Sequence, residues 1–277
     1  MSATVFLALF GVGLAVGLVS GLIGIGGGVL IVPFLYFFYA RPTWSGFDVP
    51  AGVQAAIAHA TSLSIIIPTA LRGTWVYHRS GLVVWRTALP VALASVISAT
   101  LGARLALVVP EQALKIAFGG LLVASGGQLV LRRAPRPRVL GPGRGGWRSV
   151  LTGVLVGALS AFLGVGGGLV AIPLLIYLVR LDVKEVAATS LAIIVFAAAA
   201  GTLTYIVSGL GAEGLPAGSL GYVHAVVALP ILLGATVSVG WGARINQRVP
   251  ARRLQVLFGG VFIVLGARMI LENVTRM

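Results

Sequence analysis

The chain has 277 residues, of which 58% are hydrophobic and 9% charged, with a mean hydropathy of +1.05 and a formal net charge of +14. A soluble domain carries about 25% charged residues, so this composition excludes a soluble globular protein and leaves no length for a sizeable soluble domain. Nucleic acid is excluded as a partner: the arginines lie in short loops between apolar runs, with no basic helix interleaved with aromatics, and they fit a positive-inside bias and anionic lipid headgroups. Cysteine is absent, which removes a disulfide framework, a thiolate metal site and a redox thiol.

Apolar segments fall near residues 3–23, 28–40, 52–77, 86–108 and 112–131, and then near 150–163, 168–180, 185–208, 220–243 and 252–271. The first follows no basic leader and reads as a retained helix. Residues 3–40 cannot be one span: at 1.5 Å per residue they would reach about 57 Å, against a hydrocarbon core of about 30 Å. Segments 1 and 2 therefore double back, as full spans or as a re-entrant hairpin. The same holds for segments 6 and 7. Between the halves runs RRAPRPRVLGPGRGGWR (132–148), irregular by its Pro and Gly content. The expected organisation is a transmembrane repeat over 1–131, a cytoplasmic linker over 132–148, and a second repeat over 149–277.

The halves are copies. GLVSGLIGIGGGVLIVPFL (17–35) is answered by GALSAFLGVGGGLVAIPLL (157–175), at an offset of 140. Residues 88–120 match 228–260 at the same offset, and Thr61-Ser62-Leu63 matches Thr189-Ser190-Leu191 at an offset of 128. Five segments per half is an odd number, so the repeats should have inverted topology: an all-α polytopic membrane protein, each repeat opened by a glycine-broken helix or a re-entrant hairpin. With the linker inside, the loops at 78–87, 180–184 and 244–253 are inside too. They and the linker hold 14 basic residues, against four outside, Arg41, Arg104, Lys115 and Arg276. Both termini then face the periplasm.

The glycine motif can bind an anion. Unwound backbone exposes N–H groups and creates helix N-termini whose partial positive charge attracts anions in a low dielectric. Close helix packing through small residues is the other reading of the same glycines. The motif supplies Gly24, Gly26, Gly27, Gly28 and Pro33 in the first half, and Gly164, Gly166, Gly167, Gly168 and Pro173 in the second. Hydroxyls on the helices entering each break, Ser20 and Ser160, and within the apolar segments, Thr61, Ser62, Thr189 and Ser190, could donate to an anion without adding charge. They could also bond back to their own helices. The two Thr-Ser pairs are expected to face one ligand near the midplane. Tyr77 and Tyr205 sit near helix ends, as in an interfacial aromatic belt.

No carboxylate lies mid-membrane, which argues against an acidic proton relay or cation site. His59 is the one buried titrating group expected, either as a coupling residue or as a helix-lining histidine. Arg104 and Arg244 are expected to snorkel at opposite interfaces or to guard two vestibules. No P-loop, HExxH, GxSxG or His/acid cluster appears, so nothing suggests ATP-driven pumping, hydrolysis or a cofactor.

Two GxGGGxxxxP halves, each followed by a Thr-Ser-Leu helix, resemble the TauE/SafE sulfite exporter family of bacterial membrane permeases, over about residues 3–272. The resemblance implies movement of sulfur-containing anions such as sulfite, thiosulfate, sulfoacetate or related organosulfonates across the inner membrane, by one half rocking against the other. The chain departs from the usual pattern at His59-Ala60, where glycine beside a small residue is commoner. Uptake of another small organic anion, or a membrane scaffold in which the glycines only pack helices, are the alternatives to a sulfur-anion carrier.

The natural absence of cysteine makes the topology directly testable. Single cysteines placed at Arg138 and Glu213 should react with an impermeant thiol reagent from opposite sides of the membrane. Reaction of both from one side would contradict the inverted-repeat reading.

Overall fold

A computed structural model describes residues 2–50, 52–131, 146–248 and 251–274. Its helices are α1 (Ala3–Ile23), α2 (Gly28–Tyr39), a single turn α3 (Pro42–Ser45), α4 (Gln54–Arg79), α5 (Trp85–Val108), α6 (Glu111–Leu131), α7 (Gly146–Phe162), α8 (Gly168–Leu174), α9 (Val183–Ser208), α10 (Ala225–Asn246) and α11 (Ala251–Val274). Six of the described helices, α1, α4, α5, α6, α9 and α10, are long and apolar enough to cross a membrane. The protein is a multi-pass, all-helical membrane protein. Setting aside α3, each half contributes five helical segments. Most of the 132–148 linker lies outside the described residues.

The apolar residues are arranged for lipid rather than water. On α5, Leu93, Ile97, Leu101 and Leu105 form an exposed stripe at every fourth residue, while Ser95, Ala99, Gly102 and Ala106 on the opposite face are buried. Small residues face the neighbour and large ones face outward, because lipid tails solvate leucine as well as protein does and only close backbone approach favours association.

Close approach is what pairs the helices. Gly13, Gly17 and Gly21 of α1 lie against the backbone of Ile231, Ala235 and Val239 of α10, and the two helices run parallel. Gly153 and Gly157 of α7 repeat the arrangement against Val91 and Ser95 of α5. The remaining pairs join equivalents. Helices α4 and α9 run antiparallel, with Gly73 against Leu191 and Gly201 against Leu63; α6 and α11 run antiparallel through Gly119 with Gly266 and Gly126 with Gly259. Except at Gly21, whose equivalent is Ala161, each of these contacts recurs when the halves are exchanged.

Three features differ from expectation. Tyr77 and Tyr205 are fully buried rather than interfacial. Tyr77 donates to the Gly21 carbonyl at 2.8 Å and Tyr205 to the Ala161 carbonyl at 2.9 Å. Each pins the end of a broken helix, because a buried phenol needs a partner. Residues 219–224 form a two-stranded hairpin of β1 (Ser219–Leu220) and β2 (Val223–His224), with Ser219 opposite His224, so α10 begins at Ala225 rather than near 220. Finally, α8 ends after seven residues and continues as a π-helical turn over Leu175–Val179, whereas its counterpart α2 stays α-helical through Tyr39.

A side chain at Gly17 would strike the α10 backbone, with a Cβ 2.6 Å from the Cα of Ala235, while a Cβ at Gly11 meets nothing within 4 Å. Gly17→Leu should therefore cost about 1–3 kcal/mol or more and lower the midpoint of thermal unfolding in detergent, and Gly11→Leu should leave it unchanged. Equal stability of the two variants would contradict this packing.

Candidate functional site

Both glycine motifs make the break expected of them. Gly24, Gly26 and Gly27 have φ of 82°, 80° and 85°, and Gly164, Gly166 and Gly167 have 68°, 78° and 85°. This left-handed region is strained for any residue with a Cβ. Gly24 ends α1 with its N–H on the Ser20 carbonyl, at 2.8 Å, and Gly27 is the N-cap from which α2 sets off again.

Gly28 and Gly168 are glycines for a different reason. A Cβ on Gly28 would lie 2.6 Å from the carbonyl oxygen of Val165, and one on Gly168 would collide with the backbone of Ile25. The breaks of the two halves thus rest on one another, backbone to backbone. Gly26 and Gly166 share a neighbour: a Cβ built on either would be 3.2 Å from the same Ile194 methyl. Pro33 and Pro173 lie inside α2 and α8.

From this meeting point α2 runs back beside α4, bringing Tyr36 to His59 and Tyr39 to His224. Its 12 residues span about 18 Å, a little over half of a bilayer core. Helix α8 starts from the same place. Neither N-cap, Gly27 or Gly167, supplies a side-chain cap. The N–H groups of Leu30 and Val170 bond back to the Gly27 and Gly167 carbonyls at 3.0 Å, and those of the first two residues of each helix have no partner within it, so two N-termini without side-chain caps, with their partial positive charge, are gathered at one locus.

Hydroxyls divide into two kinds. Thr61 accepts the backbone N–H of His224 at 3.0 Å, and Thr189 accepts that of Val84 at 3.2 Å. His224 and Val84 are the N-caps of α10 and α5, so each threonine secures the start of a helix in the opposite half. Ser20, Ser62, Ser160 and Ser190 are fully buried, and their hydroxyls have no partner in the protein, as is also true of Thr74 and Thr202. Back-bonding to a helix carbonyl is available in this fold, since Thr69, Thr204 and Thr236 bond to the residue four positions earlier. The four serines do not use it.

The structure does not bring Ser62 and Ser190 to one ligand. With α4 and α9 antiparallel and Gly73 level with Leu191, Ser62 is level with residue 202 and Ser190 with residue 74. The two serines are then separated by about 18 Å along the helices, too far for one small anion to touch both. The inversion of the repeat carries them to opposite sides of the centre. Ser20 and Ser160 are the hydroxyls at the breaks: their Cβ atoms lie 3.6 Å and 3.1 Å from a Cβ built on Gly27 and Gly167.

A small cleft of about 20 Å³ borders this region on one side. It touches Ile25 of the first break, passes Pro173 and Ile176, and ends at Gln128 and Tyr177. Of these, Ile25 and Ile176 are buried like their counterparts Val165 and Tyr36, and Pro173 is half-buried where its counterpart Pro33 is buried. The cleft side is the side of the π turn.

The buried polar groups are uneven as well. His59 is fully buried, with Nε2 2.5 Å from the Tyr36 hydroxyl and Nδ1 unpartnered. His224 is equally buried, with Nδ1 3.1 Å from the Tyr39 hydroxyl, the Phe47 ring edge-on at 4.5 Å, and Nε2 unpartnered. His224, Tyr36 and Tyr39 were not singled out in the sequence, because their signal lies in pairing across 23 and 185 residues. Arg104 and Arg244 are exposed. Among the described residues no group of three His, Asp or Glu could hold a metal ion.

Residues 9–269 match the family model described as Sulfite exporter TauE/SafE. The chain is 27% identical over 266 residues to a probable membrane transporter protein of Methanocaldococcus jannaschii, covering 94% of this chain and 93% of the relative. It is 31% identical over 268 residues to a probable membrane transporter protein of Haemophilus influenzae, covering 94% and 96%. It is 25% identical over 287 residues to the probable membrane transporter protein YunE of Bacillus subtilis, covering 97% and 98%. No solved structure matches the chain.

Proposed function

The chain belongs to the TauE/SafE sulfite exporter family, and on that premise we propose that it is a secondary transporter or facilitator of small sulfur-containing anions, sulfite, thiosulfate, sulfoacetate or a related organosulfonate, in the bacterial inner membrane. The observation that carries this reading is the convergence of two side-chain-uncapped helix N-termini, at Gly27 and Gly167, beside the partnerless buried hydroxyls of Ser20 and Ser160. An oxyanion offers several acceptor oxygens, and this locus offers donors without a fixed charge.

The binding strength expected of such a site suits a carrier. Each neutral hydrogen bond contributes about 0.5–1.5 kcal/mol net, and a helix N-terminus about 0.3–2 kcal/mol. A few of each give weak, exchangeable binding, which lets the cargo leave on the far side. Ser62 with Thr202, and Thr74 with Ser190, would act as stepping positions on either side of the centre.

Membrane orientation follows from the basic loops, with the linker inside and both termini outside. The antiparallel pairing of the equivalents α4 with α9 and α6 with α11 supports two inverted-topology repeats over 1–131 and 149–277, since only a two-fold axis lying across the helices relates antiparallel partners. In that orientation the cleft at Gln128 and Tyr177 opens to the cytoplasm, and alternating access would consist of closing this cleft while its counterpart opens at Tyr36.

The test is a thermal-shift screen of the purified protein against sulfite, thiosulfate, sulfoacetate, taurine and sulfate, followed by titration of the anion that binds. Ser20→Ala and Ser160→Ala should each weaken binding by roughly 2- to 12-fold, as expected for one neutral hydrogen bond, and the double variant by more. A double variant that binds like the parent would return the glycine breaks to a purely packing role.

A further inference from the structure

Repetition supplies an internal control. The packing contacts recur under exchange of the halves, so residues at equivalent positions meet equivalent steric demands. Six positions break the pattern in chemistry. Tyr36, Tyr39, His59, Glu111, Lys115 and His224 stand where the other half has Ile176, Val179, Ala187, Ala251, Gln255 and Val84. The fold is built at each of those positions in the other half without a titratable group.

The six are joined, five from the first half and His224 from the second. Tyr36 and Tyr39, one turn apart on α2, hold the two buried histidines, His59 and His224. Lys115 on α6 lies 5.1 Å from the centre of the Tyr36 ring and is paired to Glu111, which also accepts the Gly52 N–H at 3.0 Å. The Glu111 and Lys115 side chains are 12% and 17% exposed, so this end of the chain reaches the surface. At the other end, the Cα of His59 lies 2.5 Å from where a Cβ on Gly164 would be, which places the imidazole against the second glycine break. The titratable and charged groups facing His59 are Tyr36 from α2 and Lys115 from α6, with Glu111 of α6 and Tyr205 of α9 within electrostatic reach of Tyr36.

Burying a polar group without a partner costs free energy, and apolar replacement of buried polar clusters is often neutral or stabilising. The equivalent positions of the opposite half show that replacement in place. Two histidines buried in the interior, one of them, His59, with an open ring nitrogen, therefore point to use rather than to packing. Ionisable residues inside a membrane protein mark ion pathways by default.

We propose that the Tyr36–His59 and Tyr39–His224 pairs form a proton-binding site, and that the protein moves protons together with its anion in the same direction. This rests on the transport reading above. The proton enters from the outer face at the edge marked by Glu111 and Lys115 and is held on the open Nδ1 of His59. An imidazolium there, beside Lys115, is an unpaired buried charge, which the interior does not tolerate alone. An anion at the adjacent glycine break supplies the counter-charge. Each ion makes the other's burial affordable, so the two bind as a pair and are released together into the cleft on the opposite side. For a monovalent anion and one proton the step is electroneutral.

The coupling can be read in proteoliposomes of the whole protein loaded with a trapped pH-sensitive dye, at equal pH on both sides. An inward gradient of thiosulfate or sulfoacetate is applied with the membrane potential clamped by potassium and valinomycin, because both are dianions that carry no proton of their own, and a dianion with one proton still moves charge. The expected result is acidification of the lumen in step with anion entry, and faster entry at lower outer pH. His59→Gln, which cannot hold the proton, should reduce protons moved per anion at least ten-fold. Tyr36→Phe, which keeps the ring and removes the hydroxyl, should shift the pH profile. A merely structural cluster would lower proton and anion fluxes in parallel and leave their ratio unchanged. Anion entry by the parent without acidification and independent of pH overturns the coupling while leaving transport intact. Absence of entry of either anion in the parent, together with no thermal shift by any anion of the screen, overturns the transport reading and the coupling with it.

Discussion

The contact on which the rest depends is backbone against backbone, where Gly28 meets Val165 and Gly168 meets Ile25. No side chain fits between these segments, so each half's break is shaped by the other's. That contact fixes where α2 and α8 begin, and hence where their N-terminal N–H groups gather. It also explains why each break needs four glycines with two distinct duties: three take the left-handed backbone that ends one helix and starts the next, and the fourth allows the crossing. A membrane interior makes such a locus valuable. Water cannot solvate the freed N–H groups there, and irregular backbone is tolerated only where protein or a cavity lies against it.

Around this crossing the halves are alike in packing and unlike in state. Parallel pairs α1/α10 and α5/α7 brace the two broken helices from outside, and Tyr77 and Tyr205 hold their ends. The differences concentrate on the half-span helices. On one side the π turn at Leu175–Val179 opens the helix after Pro173, and the cleft lies beside it. On the other, α2 is regular and closed down by Tyr36 and Tyr39. Proline removes one helix hydrogen bond in both, so either can in principle loosen. π turns within α-helices occur most often at functional sites, and here one marks the half-span helix that borders open space.

Much of this was legible in the sequence. Hydropathy and the 140-residue offset located five segments per half, because lipid imposes long apolar runs and duplication preserves spacing. The glycine breaks were legible because three consecutive glycines have few uses. Other features were hidden by the inversion itself. Ser62 and Ser190 look like one site in a linear alignment, yet antiparallel packing sends them to opposite levels. The threonines beside them cap helices of the opposite half, a role that depends on which N–H happens to arrive. Tyr77 and Tyr205 looked interfacial because they stand near helix ends, but the broken helices offer carbonyls there that need a donor. His224 sits in a hairpin where an apolar helix start was expected, and its partners lie far away in sequence.

The central claim is that an anion binds where the two glycine breaks cross. The most direct measurement is the anomalous diffraction signal of selenium in crystals of the protein grown with selenite, the selenium analogue of sulfite. The account predicts one ordered selenium site at the N-termini of α2 and α8, within hydrogen-bonding distance of the Ser20 or Ser160 hydroxyl and of the first-turn N–H groups after Gly27 or Gly167. Selenium bound only elsewhere, for example in the cleft at Gln128, would contradict it.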